Sequence, residues 1–163
     1  MADPFEPRRA IGEALPSPVS TAHQLFRVPA TGLPRIPRRA RNLYQTQAYA
    51  GFDKASPGRA GSDTRRTYGT WGVETDEAAA LGQLTRHLIQ YAMTVLPTYR
   101  YTVIMQLDER GRATVTVLAV QARQPATPLD PGAHPGIRRL ADSWGTRPLG
   151  AGPGLYVTAQ TTT

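Results

Sequence analysis

The chain has 163 residues, enough for one domain with a tail, and carries a net charge of +7 with 15 glycines, 15 prolines and no cysteine. The absence of thiols excludes disulfides, thiolate metal sites and cysteine nucleophiles. No apolar run approaches the roughly 18 residues of a membrane span, and Asp3, Glu6 and Glu13 argue against a cleaved leader, so a cytoplasmic chain with no membrane partner is expected.

The first 72 residues hold ten arginines and Lys54 against five acids, so nearly all of the net positive charge lies there. A basic segment on a near-neutral body suggests a polyanionic partner: nucleic acid, an anionic membrane or an acidic protein surface such as a microtubule wall. Prolines at 4, 7, 16, 18, 29, 34, 37 and 57 interrupt any sustained helix or strand period. Residues 1–72 are therefore expected to be an extended basic arm, rich in Pro, Arg and Tyr, with no core of its own. Its aromatic residues are unusual for a solvated tail. Tyr44, Tyr49, Phe52, Tyr68 and Trp71 suggest anchors that dock on a partner, with Arg38, Arg39, Arg41, Arg65 and Arg66 giving attraction and orientation. Pro34-Arg35-Ile36-Pro37 also has the spacing of a polyproline ligand.

Residues 73–163 read as a small α+β domain. Over 75–96, Leu81, Leu84, Leu88, Tyr91, Ala92 and Val95 recur at three and four, predicting an amphipathic helix. Thr75 is placed to cap it, Asp76 and Glu77 favour its positive end, and Pro97 stops it. A hairpin is expected over Tyr99–Val120, with Gly111 in the turn, and Leu84, Leu88, Val103 and Val117 buried together. Two strands are marginal alone, and Leu155–Thr161 is the candidate third. Residues 122–154 read as a long Pro-rich loop, with a short helix over Ile137–Trp144. The expected fold is thus a small antiparallel sheet with one main helix packed on it, preceded by the long extended arm.

Chemistry finds few candidates. His87 reads as a core-edge residue, and Asp130 with His134 lacks the further ligands a metal needs. Gly150–Gly154 leads into a strand rather than the helix that a phosphate loop requires. No catalytic residue, cofactor or metal is assigned, and the expectation is that the chain is not an enzyme.

Residues 81–121 resemble the second half of a Tctex-type dynein light chain. Leu84-Thr85 falls in the helix, Tyr99-Arg100-Tyr101-Thr102-Val103-Ile104-Met105 forms the aromatic-basic-Tyr strand, Gly111 sits in the turn, and Leu155-Tyr156-Val157 supplies the last strand. The sequence departs from that family in showing no legible first helix before Thr75. It also has Gln121-Ala122-Arg123 where a Trp-Asp pair is usual. The resemblance implies two helices on an antiparallel sheet, a dimer formed through the sheet, and a non-catalytic role in dynein-type assemblies. The aromatic-studded arm is similar to axonemal microtubule-associated proteins that thread along tubulin. Together these imply a structural subunit of a cytoskeletal complex in a cilium or flagellum. The alternative is a basic-armed subunit of a ribonucleoprotein or capsid, binding nucleic acid.

Overall fold

The computed structural model describes residues 42–163. In chain order these form strand β1 (Leu43–Ala50), helix α1 (Ser56–Thr70), helix α2 (Thr75–Val95), and strands β2 (Arg100–Leu107) and β3 (Arg112–Val120). A 3-10 turn (Pro131–Ala133), helix α3 (Pro135–Leu140) and strands β4 (Ser143–Pro148) and β5 (Gly154–Thr162) follow. The strands make one antiparallel sheet in the order β1-β2-β3-β5-β4. The α+β class with a small antiparallel sheet is as the sequence predicts, but two long helices pack on it where one was expected.

The central hairpin and its helix match their sequence pattern. Tyr101, Val103 and Met105 of β2 and Ala113, Val115, Val117 and Ala119 of β3 point to one face. There they meet Leu81, Leu84, Leu88, Ile89 and Ala92 of α2, all buried. Leu84, Leu88, Val103 and Val117 share this core as expected. β5 pairs with β3 from Gly154 to Thr162 and adds Leu155, Val157 and Ala159 to the same face. One detail differs at the start of α2. Its N-cap is Glu74, without a side-chain cap hydrogen bond, and Thr75 is already helical.

The larger correction concerns residues 43–72, which are not an extended arm. β1 pairs along its whole length with β2, from Leu43 opposite Leu107 to Ala50 opposite Arg100. As an edge strand it buries little, so its inward positions include Gln45 and Gln47, which blurs the alternation expected of a strand. α1 has no apolar stripe because its buried residues are Ser56, Pro57, Ala60, Gly61, Thr64, Thr67 and Tyr68. Small residues are used here because α1 lies very close to α2. A Cβ at Gly61 would fall 2.8 Å from the Gly82 carbonyl oxygen, and one at Gly82 would fall 2.6 Å from that of Gly61. Pro57 sits in the first turn, where its missing N–H costs nothing. Residues 1–41, including Arg38, Arg39 and Arg41, lie outside the described residues.

Residues 122–154 are also more structured than a loop. Asp130 caps the 3-10 turn through Gly132 N, and His134 caps α3 by accepting from Gly136 N. The helix expected over Ile137–Trp144 ends at Leu140. Ile137 and Ala141 are buried, whereas Trp144 has passed into β4 and donates its Nε1 hydrogen to Asp130 Oδ1 at 3.1 Å. The β4–β5 hairpin satisfies backbone groups that an open loop would leave to solvent.

Candidate partner-docking surface

The aromatics that the sequence groups as anchors divide into two sets. Tyr68 is fully buried under the β2–β3 hairpin, its hydroxyl 2.9 Å from both the Gln106 and Thr114 carbonyl oxygens. Tyr49 is buried on the inward side of β1 and donates to Asp63 Oδ2 at 2.9 Å. Gln47 Nε2 reaches the same carboxylate at 3.1 Å, so Asp63 ties α1 to β1. Burial first, and then the Asp63 carboxylate, push the Tyr49 phenol well above its ordinary range; burial does the same to Tyr68. Trp71 is partly buried with its ring edge-on to Tyr68, centroids 5.0 Å apart. Tyr49 and Tyr68 are therefore structural, and the expectation that they bind a partner is corrected.

Tyr44 and Phe52 are different. They are 62% and 70% exposed, large values for side chains of this size. Phe52 is joined by Tyr99, 80% exposed, which packs edge-on against it with centroids 5.2 Å apart. The backbone fixes this pair. Gly51 N donates to Tyr99 O at 2.7 Å, and a Cβ at Gly51 would collide with the Thr98 carbonyl, so only glycine fits. The hairpin expected over Tyr99–Val120 includes Tyr99 in the strand. The missed signal is Pro97, two residues earlier, which delays the strand to Arg100.

These three rings flank an unusual edge. β1 reads Leu-Tyr-Gln-Thr-Gln-Ala-Tyr-Ala, eight residues with no charge and no proline. Edge strands ordinarily carry lysine, proline, bulges or a short length, which stop a further strand from adding. The opposite edge follows that rule: β4 has six residues and includes Arg147 and Pro148. Alternate β1 residues direct their backbone N–H and C=O groups away from β2, forming a template for another strand.

Arg65 and Arg66 are exposed on the outer side of α1. Arg66 is 3.2 Å from Asp63, and Arg59 pairs with Asp53, so these charges are partly answered within the body. Neither arginine lies beside the exposed rings in sequence, and α1 carries both on the helical layer rather than on β1.

The two described histidines belong to packing. The His87 and His134 rings lie 5.0 Å apart, and a Cβ at Gly136 would fall 2.5 Å from His87 Cδ2, so this contact seats α3 on α2. Burial first, and then the neighbouring His134, lower the His87 pKa. Among the described residues no cluster of three or more His, Cys, Asp or Glu side chains is placed to hold a metal, and no helix is long and apolar enough to cross a membrane.

Comparison with known proteins finds no matching family model and no matching curated protein.

Proposed function

We propose that the protein is a non-enzymatic structural subunit of a cytoskeletal assembly, a ciliary axoneme in particular, which docks by adding the β1 edge to a strand of a tubulin- or dynein-associated partner. The observation that carries this reading is the uncharged, proline-free edge flanked by Tyr44 and the Phe52–Tyr99 pair. Backbone pairing along β1 gives affinity and register, and exposed rings at both ends supply the concentrated contacts typical of interface hot spots. The same edge also suits a second copy of the chain, giving a dimer through the sheet.

The cytoskeletal class of partner rests on the resemblance to Tctex-type light chains. The resemblance implies two helices on an antiparallel sheet, and two long helices pack on this one. A ribonucleoprotein or capsid subunit has equal use for an open edge; it is favoured by a different surface, the outer face of the sheet.

The test is co-sedimentation of the full chain with stabilised microtubules. Wild type is expected to pellet with the polymer. A Tyr44→Ala, Phe52→Ala, Tyr99→Ala triple variant is expected to remain folded and stay in the supernatant. Failure of wild type to pellet refutes the cytoskeletal reading, and unchanged pelleting of the variant refutes the docking surface.

A further inference from the structure

The helices cover one face of the sheet, and the strand register defines what the other face displays. Its outward positions are Tyr44, Thr46 and Ala48 on β1, Arg100, Thr102, Ile104 and Gln106 on β2, and Thr114, Thr116 and Leu118 on β3. Tyr156, Thr158 and Gln160 on β5, Ser143, Gly145 and Arg147 on β4, and Ala50, Arg112, Val120, Gly154 and Thr162 at strand ends complete it. No outward strand position is Asp or Glu. Of the acids at the rim, Asp108 holds Arg112 at 3.0 Å and Asp142 accepts from Thr162 N at 2.8 Å. Arg100 and Arg147 have no carboxylate within 4.0 Å among the described residues.

Three features of this face point to one class of ligand. First, Thr102, Leu118, Tyr156 and Arg147 form one register row three strand spacings wide, about 14 Å across the sheet, and Arg100 lies two residues along β2 from Thr102. Second, the Arg147 guanidinium carbon lies over the Tyr156 ring, 4.7 Å from its centroid, so cation and ring form a stacked pair that a base can extend. Third, Gly145 has open space where other residues carry a side chain, leaving a shallow recess of about 280 Å³ beside that platform. Ser143, Arg147, Thr158 and Gln160 line the recess. Ser143 Oγ donates to Gln160 Oε1 at 3.3 Å, and among the described residues the Gln160 amide nitrogen has no acceptor.

We infer that the face of the sheet opposite α1 and α2 binds single-stranded nucleic acid. Bases stack on Tyr156, flanked by Leu118; one base edge enters the Gly145 recess against Gln160 and Thr158; and Arg100 and Arg147 take backbone phosphates. A face with an arginine-backed ring, partly exposed hydroxyl and amide groups and guanidinium groups without a carboxylate partner among the described residues matches how sheets hold single strands. A second copy would set arginine-bearing faces against each other, which like-charge repulsion opposes. An acidic peptide would satisfy the arginines but leave the stacking ring and the recess unused. The inference concerns the sheet face and is independent of what docks on the β1 edge.

The test is fluorescence anisotropy of the full chain with a labelled uridine dodecamer across a salt series. Wild type is expected to bind. Arg100→Gln with Arg147→Gln should weaken binding roughly ten-fold and lower the salt slope by about 1.4, since each phosphate contact on a single strand contributes about 0.7. Tyr156→Leu, which keeps apolar bulk, should weaken binding by at least about five-fold with an unchanged slope. Urea midpoints of both variants should match wild type. The inference is overturned if wild type does not bind, or if the folded variants bind as wild type does. It is also overturned if a polyglutamate peptide of equal charge displaces the oligonucleotide at equal concentration, which would assign the face to acidic protein.

Discussion

Replacing Tyr68 separates the aromatics that hold the body together from those left for a partner. Tyr68→Ala removes a fully buried ring from beneath β2 and β3 and deletes a hydroxyl within 2.9 Å of two carbonyl oxygens. Large aromatic truncations of this kind cost about 3–5 kcal/mol. Loss of the hydroxyl alone, in Tyr68→Phe, should cost about 1–2 kcal/mol, because buried carbonyls lose a donor. Tyr44→Ala should change stability by no more than about 0.5 kcal/mol, since its ring is mostly in water. Urea denaturation followed by tryptophan fluorescence reads all three, and Trp71 reports directly because its ring touches Tyr68. A Tyr68→Ala loss below about 1 kcal/mol, or a Tyr44→Ala loss above 2 kcal/mol, would refute the division.

Two further outcomes follow from the same geometry. Gly82→Ala should destabilise by about 1–3 kcal/mol, because its Cβ meets the Gly61 carbonyl at 2.6 Å. Gly58→Ala, on the same helix pair with nothing within 4 Å, should stabilise by up to about 1 kcal/mol, and equal effects of the two in urea melts would contradict the close helix contact. Stability should also fall as pH drops below about 6.5, the ordinary value from which His87 is lowered in the fold. The unfolded chain takes up that proton first, so the His87 contribution is fully present above this value and is lost toward the lower folded-state pKa. The surrounding groups, Arg86 on α2 and His134 and Arg139 on the docked segment, oppose the imidazolium. His87→Gln should flatten the urea midpoint between pH 7.5 and 5.5, and an unchanged slope would show that His87 does not report the docking.

The parts legible in the sequence are those where apolar residues carry the period. α2 shows its leucines at three and four, β2 and β3 alternate cleanly, and β5 was visible as a short β-branched run. α1 was hidden because glycine, serine and threonine let it approach α2, and these same residues imitate a linker. β1 was hidden because an edge strand needs apolar groups on only one face and here mixes glutamine into it. Of the aromatics grouped by residue type, Tyr44 and Phe52 are exposed, while Tyr49 and Tyr68 are buried, because type says nothing of burial. Arg100 and Arg147 were not grouped, since only strand register brings residues 47 positions apart onto one face.

The central claim is that β1 is the surface that receives a partner, and backbone amide exchange along Leu43–Ala50 tests it most directly. Among the described residues alternate β1 amides have no partner strand, and in the free full-length chain they should exchange quickly, while those bonded to β2 exchange slowly. On addition of stabilised microtubules, the fast set should become protected together with Phe52 and Tyr99. Protection confined to the outer helices, with the β1 amides still exchanging at their free rates, would contradict the account.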